Sequence, residues 1–375
     1  MSGRLMRDER VLIFRPGYLG DTIVALPALR LVAEAFPDAE RRVLTEFNSD
    51  PKAAPLAQVL EGTGLVHGYL RYPPRVRRVA GALRLRHEIR SFNPGVLVYL
   101  APPLSGRLKV LRDLAFFRWC GIRRVVGAPS TVDLREPRQL SAASYEYEGA
   151  RLLRCLHELG AGDLSTQAFD LKLSESERSA ARSMLASLPQ TAPILAASIG
   201  AKVSVKDWGD GNWSALLSGL SERLRTWSLV MVGAAVEKER SEQLLKRWRG
   251  RALNLCGETS ARVSAAVLER ARLFVGHDSG PMHLAAAVGT PCVAVFSSRH
   301  LPGVWFPWGS RNRVIYTDVP CRGCNLDVCV RYAKKCIASI SVDEVMRHVD
   351  AEVNAGPTER GGAAQRVDEP RSGRA

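Results

Sequence analysis

Short β-branched runs alternate with longer amphipathic stretches along most of this chain, and the rhythm restarts once near Pro193. Strand-like runs fall at 10–14, 42–45, 96–100, 124–126, 194–198, 227–232, 273–275 and 292–296. Helical stretches follow most of them, for example 22–35 after the first and 213–224 after the fifth. Strands that alternate with helices in this way pair in parallel, with the helices on the faces of the sheet. The restart follows the polar segment 174–190 and predicts two Rossmann-like domains, 1–185 and 186–353, with a cleft between them. A length of 375 residues suits two such domains. Residues 354–375 hold one branched aliphatic side chain, Val367, and read as a disordered tail that buries too little apolar surface to order itself.

Membrane-spanning and secreted classes are not expected. No run approaches the ~18 apolar residues needed to span a bilayer. The start of the chain carries both charge signs and only Val11-Leu12-Ile13-Phe14 before Arg15, too short for a signal-peptide core. The expected place is the cytosol, where the 8 cysteines are free thiols or ligands rather than a disulfide framework. Charge is the unusual quantity: 53 Lys+Arg against 38 Asp+Glu gives +15. Such a balance calls for an anionic partner, whether nucleic acid, a phosphate-rich metabolite or an acidic membrane surface. Between Arg71 and Arg124 stand 13 basic residues, opposed only by Glu88 and Asp113, so most of the excess lies in the first half. That stretch is either a solvated helical face or an anion-facing wall.

Three constellations carry chemistry. Arg15-Pro16-Gly17-Tyr18-Leu19-Gly20-Asp21 follows the first strand, where Rossmann-like domains present main-chain N–H groups and reactive side chains. It lacks the third glycine of a dinucleotide fingerprint and the Gly-Lys-Ser/Thr of a Walker A loop. Asp21 is either an N-cap or a general base for a hydroxyl. His277-Asp278-Ser279-Gly280-Pro281-Met282-His283 lies between a strand and an Ala-rich helix. Its turn sets consecutive N–H groups at a helix start, a place that favours phosphate or simple capping. Lys206-Asp207-Trp208 follows the first strand of the second domain, where Lys206 is either an ordinary loop lysine or a point charge for a diphosphate.

Together these residues resemble glycosyltransferase family 9, the bacterial heptosyltransferases of the lipopolysaccharide core. The resemblance rests on Arg15, Gly20-Asp21 and Pro27, on Lys206-x-Trp208, and above all on Asp278-Ser279-Gly280-Pro281-Met282-His283-Leu284-Ala285-Ala286-Ala287 with Gly289-Thr290-Pro291. Trp308-Gly309 and the cysteine-containing segment continue it, so that it runs from about Val11 to His348. It implies a GT-B fold, with the first domain binding acceptor and the second the nucleotide-sugar donor. Asp21 is then the catalytic base of an inverting transfer, and Lys206 the diphosphate ligand. Asp278, Ser279, Gly280 and His283 line the donor pocket, His283 either as a contact or as loop support. Glu237, with Glu239 as the alternative, holds the ribose. Acceptor candidates are Arg15, Arg75, Arg77 and Arg78. The implied donor is ADP-heptose and the acceptor an anionic lipid-linked glycan met at the inner membrane, with no nucleic acid and no catalytic metal, since no Asp-x-Asp pair stands in the sequence. Where the family often shows Gly-Pro-Thr this chain has Ser297-Ser298-Arg299-His300, which leaves another nucleotide sugar open.

Cys321-x2-Cys324-x4-Cys329-x6-Cys336 poses a separate question: a closed structural zinc site, or unmetallated thiols. The charge and the cysteines together also admit a basic nucleic-acid-binding protein with a zinc module, although Arg71–Arg124 shows no nucleic-acid motif. A nucleotide-sugar epimerase is a further possibility within the same fold.

Overall fold

The computed structural model describes residues 10–46, 55–72, 79–102 and 106–355. Arg75, Arg77 and Arg78, and the tail beyond residue 355, lie outside the described residues. The chain divides into two compact units. The first holds the described residues up to Gln139 together with Glu146–Phe169, and the second holds Leu140–Tyr145 and the described residues from Asp170 onward.

In the first unit five parallel strands, β1 (Arg10–Phe14), β2 (Glu40–Glu46), β3 (Gly68–Tyr72), β4 (Val96–Tyr99) and β5 (Arg124–Val126), lie in the order β3-β2-β1-β4-β5. The helices are α1 (Leu19–Val24), α2 (Leu26–Ala35), α3 (Ala57–Leu60), α4 (Val79–Phe92), α5 (Arg107–Trp119), α6 (Val132–Arg135) and α7 (Glu148–Cys155). The central strands β1 and β4 are covered on both faces, which is why they read as unbroken apolar runs. Leu12, Phe14, Leu97 and Tyr99 pack on Leu85, Ile89 and Phe92 of α4 and on Phe117 of α5. The single helix expected over 22–35 is two. Pro27 lacks an N–H and its ring collides with the carbonyl four residues back, so a helix starts at this point but does not pass through it.

A short hairpin, β6 (Gln139–Ser141) and β7 (Ser144–Tyr145), precedes the second sheet. After α8 (Glu175–Met184) that sheet is built from β8 (Ile194–Ser198), α9 (Asp210–Arg223), β9 (Ser228–Met231), α10 (Lys238–Leu245), β10 (Ala252–Asn254), α11 (Ala261–Glu269), β11 (Leu273–His277), α12 (Gly280–Ala287), β12 (Cys292–Phe296) and β13 (Arg313–Tyr316). The short α13 (Lys335–Ala338) and α14 (Val342–Asn354) follow. Its six parallel strands run β10-β9-β8-β11-β12-β13. Each sheet therefore reverses direction beside its own first strand, and α/β sheets bind ligands at such a point, beyond the carboxyl ends of the strands. The helix α8 goes with the second unit, 16 residues before the boundary expected at 185/186. Arg178 of α8 pairs with Glu269 of α11 at 2.9 Å, and Arg262 of α11 donates to the Leu171 carbonyl at 2.9 Å.

Candidate active site

At the reversal of the first unit, Asp21 occupies the third position of α1. Its Oδ2 accepts from the Tyr18 N–H at 2.9 Å, which closes the helix end, while Oδ1 takes no hydrogen bond among the described residues. The side chain therefore caps and still keeps one oxygen for a proton. Gly17 makes this possible. At φ +141° it holds a conformation that suits glycine, and a Cβ there would stand 2.6 Å from the Asp21 Cβ. Behind the loop Arg15 is fully buried, donating to the Asp21 carbonyl at 2.7 Å and to the Leu100 carbonyl at 3.1 Å. The acceptor contact expected of Arg15 is thus corrected: its guanidinium is enclosed and positions Asp21. Burial lowers the Arg15 pKa, and the nearby Asp21 and Glu148 carboxylates oppose that shift. Glu148 is itself fully buried in a two-bond pair with Arg151, at 2.6 and 2.7 Å, and Arg151 donates to the Ala101 carbonyl at 2.8 Å. Two buried arginines thus grip the consecutive carbonyls of Leu100 and Ala101 just after β4. Burial raises the Glu148 pKa even against its arginine partner.

At the reversal of the second unit, the loops after β8 and β11 bring Lys206 and Asp278 together, Nζ to Oδ2 at 2.7 Å. Burial acts to raise the Asp278 pKa, but Lys206 and the neighbouring His300 and His283 hold it below the ordinary carboxylate value. Ser279 is the N-cap of α12, and its Oγ is buried with no hydrogen-bond partner, as are the hydroxyls of Ser198 and Ser297. These three serines sit at the carboxyl ends of the adjacent strands β8, β11 and β12, beside the helix start that favours an anion. The pairing Lys206-x-Trp208 has a local cause. The Trp208 N–H donates to His277 Nε2 at 3.1 Å, and its indole donates to the Ile340 carbonyl at 2.9 Å, anchoring the lysine loop in the core. The Trp213 indole donates to the same His277 nitrogen at 3.2 Å. An imidazole nitrogen that accepts two N–H groups carries no proton, and burial pushes the His277 pKa down to about 4.

Glu237 is half-buried, and its Oε2 accepts from the Ala234 N–H at 2.9 Å. A Cβ on Gly200 would stand 1.8 Å from Glu237 Oε1, and one on Gly233 2.2 Å from Oε2, so both glycines make room for this carboxylate. The alternative, Glu239, is exposed on α10. His283 is only 3% exposed within α12 and stands close enough to Asp278 to lower its pKa. The departure Ser297–His300 places a histidine beside Lys206 and Asp278. Burial pushes the His300 pKa down to about 4, and Arg299 Nη1 lies 2.7 Å from its Nε2. Ser198, Glu148 and Arg151 were not among the expected site residues, whereas Ser297 belongs to the segment singled out for its departure from the family pattern. Glu148-x2-Arg151 has the spacing of an ordinary surface pair on a helix, and only burial distinguishes it.

Two Rossmann-like units, one with an aspartate at its reversal and the other with a lysine–carboxylate pair at a helix head, have the architecture of the GT-B glycosyltransferases. The description "Glycosyltransferase family 9 (heptosyltransferase)" matches residues 150–335. The lipooligosaccharide heptosyltransferase 2 of Campylobacter jejuni is 24% identical over 350 residues, 90% of this chain and 96% of that protein. The lipopolysaccharide heptosyltransferase 1 of Pseudomonas aeruginosa is 28% identical over 334 residues, 85% of this chain and 87% of that one. Among solved structures, a family 9 glycosyl transferase from Veillonella parvula superposes with a TM-score of 0.71 at 17% identity, covering 94% of this chain and 100% of its own. The Escherichia coli heptosyltransferase WaaC with ADP-2-deoxy-2-fluoro heptose gives 0.60 at 18%, covering 91% and 99%. Residues 150–335 thus match glycosyltransferase family 9, and the two heptosyltransferases resemble the chain over most of its length.

Cys321, Cys324, Cys329 and Cys336 read either as a closed zinc site or as unmetallated thiols. Among the described residues no three His, Cys, Asp or Glu side chains come together as metal ligands. Cys336 is buried at α13, whereas the other three are half-exposed in the loop before it. The Cys329 sulfur faces the main-chain N–H groups of Lys334, Tyr332 and Arg331, which lower its pKa. The loop ties instead to the lysine site. The Val205 N–H donates to the Asp327 carbonyl at 3.2 Å, and Lys334 Nζ to the Asp207 carbonyl at 3.0 Å.

Proposed function

We propose that this glycosyltransferase moves a heptosyl group from ADP-heptose to a lipopolysaccharide core or a related surface-glycan acceptor, with inversion at the anomeric carbon. The observation that carries this reading is the Lys206–Asp278 pair at the head of α12, within reach of a helix start suited to a diphosphate. The family and the names of its relatives supply the sugar and acceptor class. The second unit holds the donor: Lys206 and the α12 N–H groups meet the diphosphate, Ser279 and Gly280 line its pocket, and Glu237 takes the ribose. The first unit takes the acceptor, with Asp21 as base.

Asp21 removes the proton of the acceptor hydroxyl as its oxygen attacks the anomeric carbon from the face opposite the leaving ADP. Negative charge then grows on the departing diphosphate, where Lys206 and the helix start are already oriented to meet it. With that charge met and no Asp-x-Asp pair in the sequence, the transfer step is inferred to need no divalent metal. Exhaustive chelation should leave the rate unchanged, and its loss on chelation would refute this. The acceptor is a lipid-linked anionic glycan, so the enzyme works at the cytoplasmic face of the inner membrane. No described helix is long and apolar enough to cross it, and the contact is peripheral.

Asp21→Ala should cost about 10²–10⁴-fold in turnover and leave ADP affinity near normal, as removal of a general base does. Full turnover in that variant would remove Asp21 as the base. A thermal-shift series of nucleotide sugars tests the donor. Stabilisation by a UDP- or GDP-sugar, with none by ADP-heptose, would overturn it.

A further inference from the structure

In the first unit α4 and α5 lie side by side on one face of the sheet. The Arg86 guanidinium stacks 4.6 Å from the centre of a Trp119 ring and donates to the Trp119 carbonyl at 3.1 Å. A helix that covers a sheet ordinarily turns polar side chains to water. These two turn out apolar ones. On α5, Val110 and Phe117 face the core, yet Leu108 is 83% exposed, Leu111, one helical turn on, is 51% exposed, and Trp119 is 47% exposed. On α4, Val79 is 77% exposed and Leu83 49%. Exposed cations stand among them: Arg84 and Arg90 from α4, and Arg107, Lys109 and Arg118 from α5. Opposing acid is scarce. Asp113 is buried, bonded by the Tyr99 hydroxyl at 2.9 Å and by Arg112 at 2.7 Å, which leaves Glu88 as the carboxylate on the remainder of the two helices.

We propose that the outer face of α4 and α5 docks on an anionic bilayer leaflet, and this rests on the lipid-linked acceptor proposed above. The guanidinium and ammonium groups would meet lipid phosphates while Leu108, Leu111 and Trp119 enter the boundary between headgroups and acyl chains. Neither kind of contact is strong alone, and peripheral binding combines both. The charge argues against a second copy of this chain on the same face, since that would set these cations against their own kind.

The test is co-sedimentation of the full chain with vesicles of phosphatidylcholine, alone or mixed with phosphatidylglycerol. The wild type should bind the mixed vesicles, fail to bind phosphatidylcholine alone, and be released by salt. The double variant Leu108→Asp/Leu111→Asp should bind the mixed vesicles about tenfold less, or weaker still. Its melting temperature, and its transfer to a delipidated acceptor fragment, should stay at the wild-type level. Absence of wild-type vesicle binding, equal binding to both vesicle types, or equal binding by the variant would each overturn the proposal, an acidic protein partner included. Failure of transfer to the fragment by the wild type would instead strike the proposed function and leave the vesicle result standing.

Discussion

At the scale of single residues the site depends on what glycine leaves open and on what burial prevents. Gly17→Ala adds a methyl group 2.6 Å from the Asp21 Cβ at a backbone angle that alanine resists, so Asp21 must move. Turnover should fall about hundredfold while ADP affinity is kept, because small displacements of a positioned base are costly. Steady-state kinetics beside calorimetry would check this, and an unchanged rate would show that the close approach is dispensable. Lys206→Ala leaves Asp278 buried without its cation. The carboxylate is held below its ordinary range, so the pair stabilises the fold above the ordinary Asp value and that stability fades only as pH falls lower still. The variant should lose about 3 kcal/mol at neutral pH, as a broken buried pair does, and converge on the wild type in strong acid. Urea denaturation as a function of pH measures it. Asp21 and Lys206 could be singled out in the sequence because the segments that carry them follow strongly apolar strands. Glu148 could not, since nothing in a helical Glu-x2-Arg spacing says that the pair is sealed from water.

At the scale of elements, legibility followed burial. The central strands β1, β4, β8, β11 and β12 appear as unbroken apolar runs because helices cover both of their faces. The strands β3, β10 and β13 escaped detection, and all three are sheet edges, β10 half-exposed throughout and β13 at both of its ends. An edge strand such as Ala252–Asn254 carries too few apolar positions to stand out from a loop. The joint between α1 and α2 was visible only as Pro27, whose effect depends on whether the chain needs a new helix there. Gly200→Ala tests the element beyond Glu237. Its methyl group would occupy the Glu237 carboxylate position, so donor affinity should drop about tenfold or more if that side chain holds the ribose. Unchanged ADP affinity in Gly200→Ala would remove Glu237 from the donor site.

For the whole molecule, the buried His277 and the half-buried His300 bear on the acid limit. His277 and His300 are both pushed down to about 4 by burial, against about 6.5 in an unfolded chain. Between those values the unfolded chain binds protons that the folded chain refuses. Their contribution to stability is therefore complete above about pH 6.5 and drains away as pH falls toward 4. The slope is about 1.4 kcal/mol per pH unit for each histidine. His277→Gln, which keeps an acceptor for the two tryptophan N–H groups, should flatten the profile by one such increment. Identical profiles for variant and wild type would mean that the His277 ring is not excluded from protonation as its burial implies. The net charge of +15 acts over a longer range. Raising salt should weaken capture of an anionic acceptor much more than turnover at saturation, because screening acts on encounter rather than on the bound state.

The ion pair between Lys206 and Asp278 also bears on how the enzyme lets go. Within the chain itself, the lysine is engaged by a carboxylate on the loop after the neighbouring strand. On the role proposed for Lys206, an incoming diphosphate would take the lysine in competition with that carboxylate, and a spent nucleotide would leave with a rival anion at hand. Affinity for the nucleotide would thereby be tempered from within, and the same residue that costs the donor some grip at entry would hasten the exit of its product.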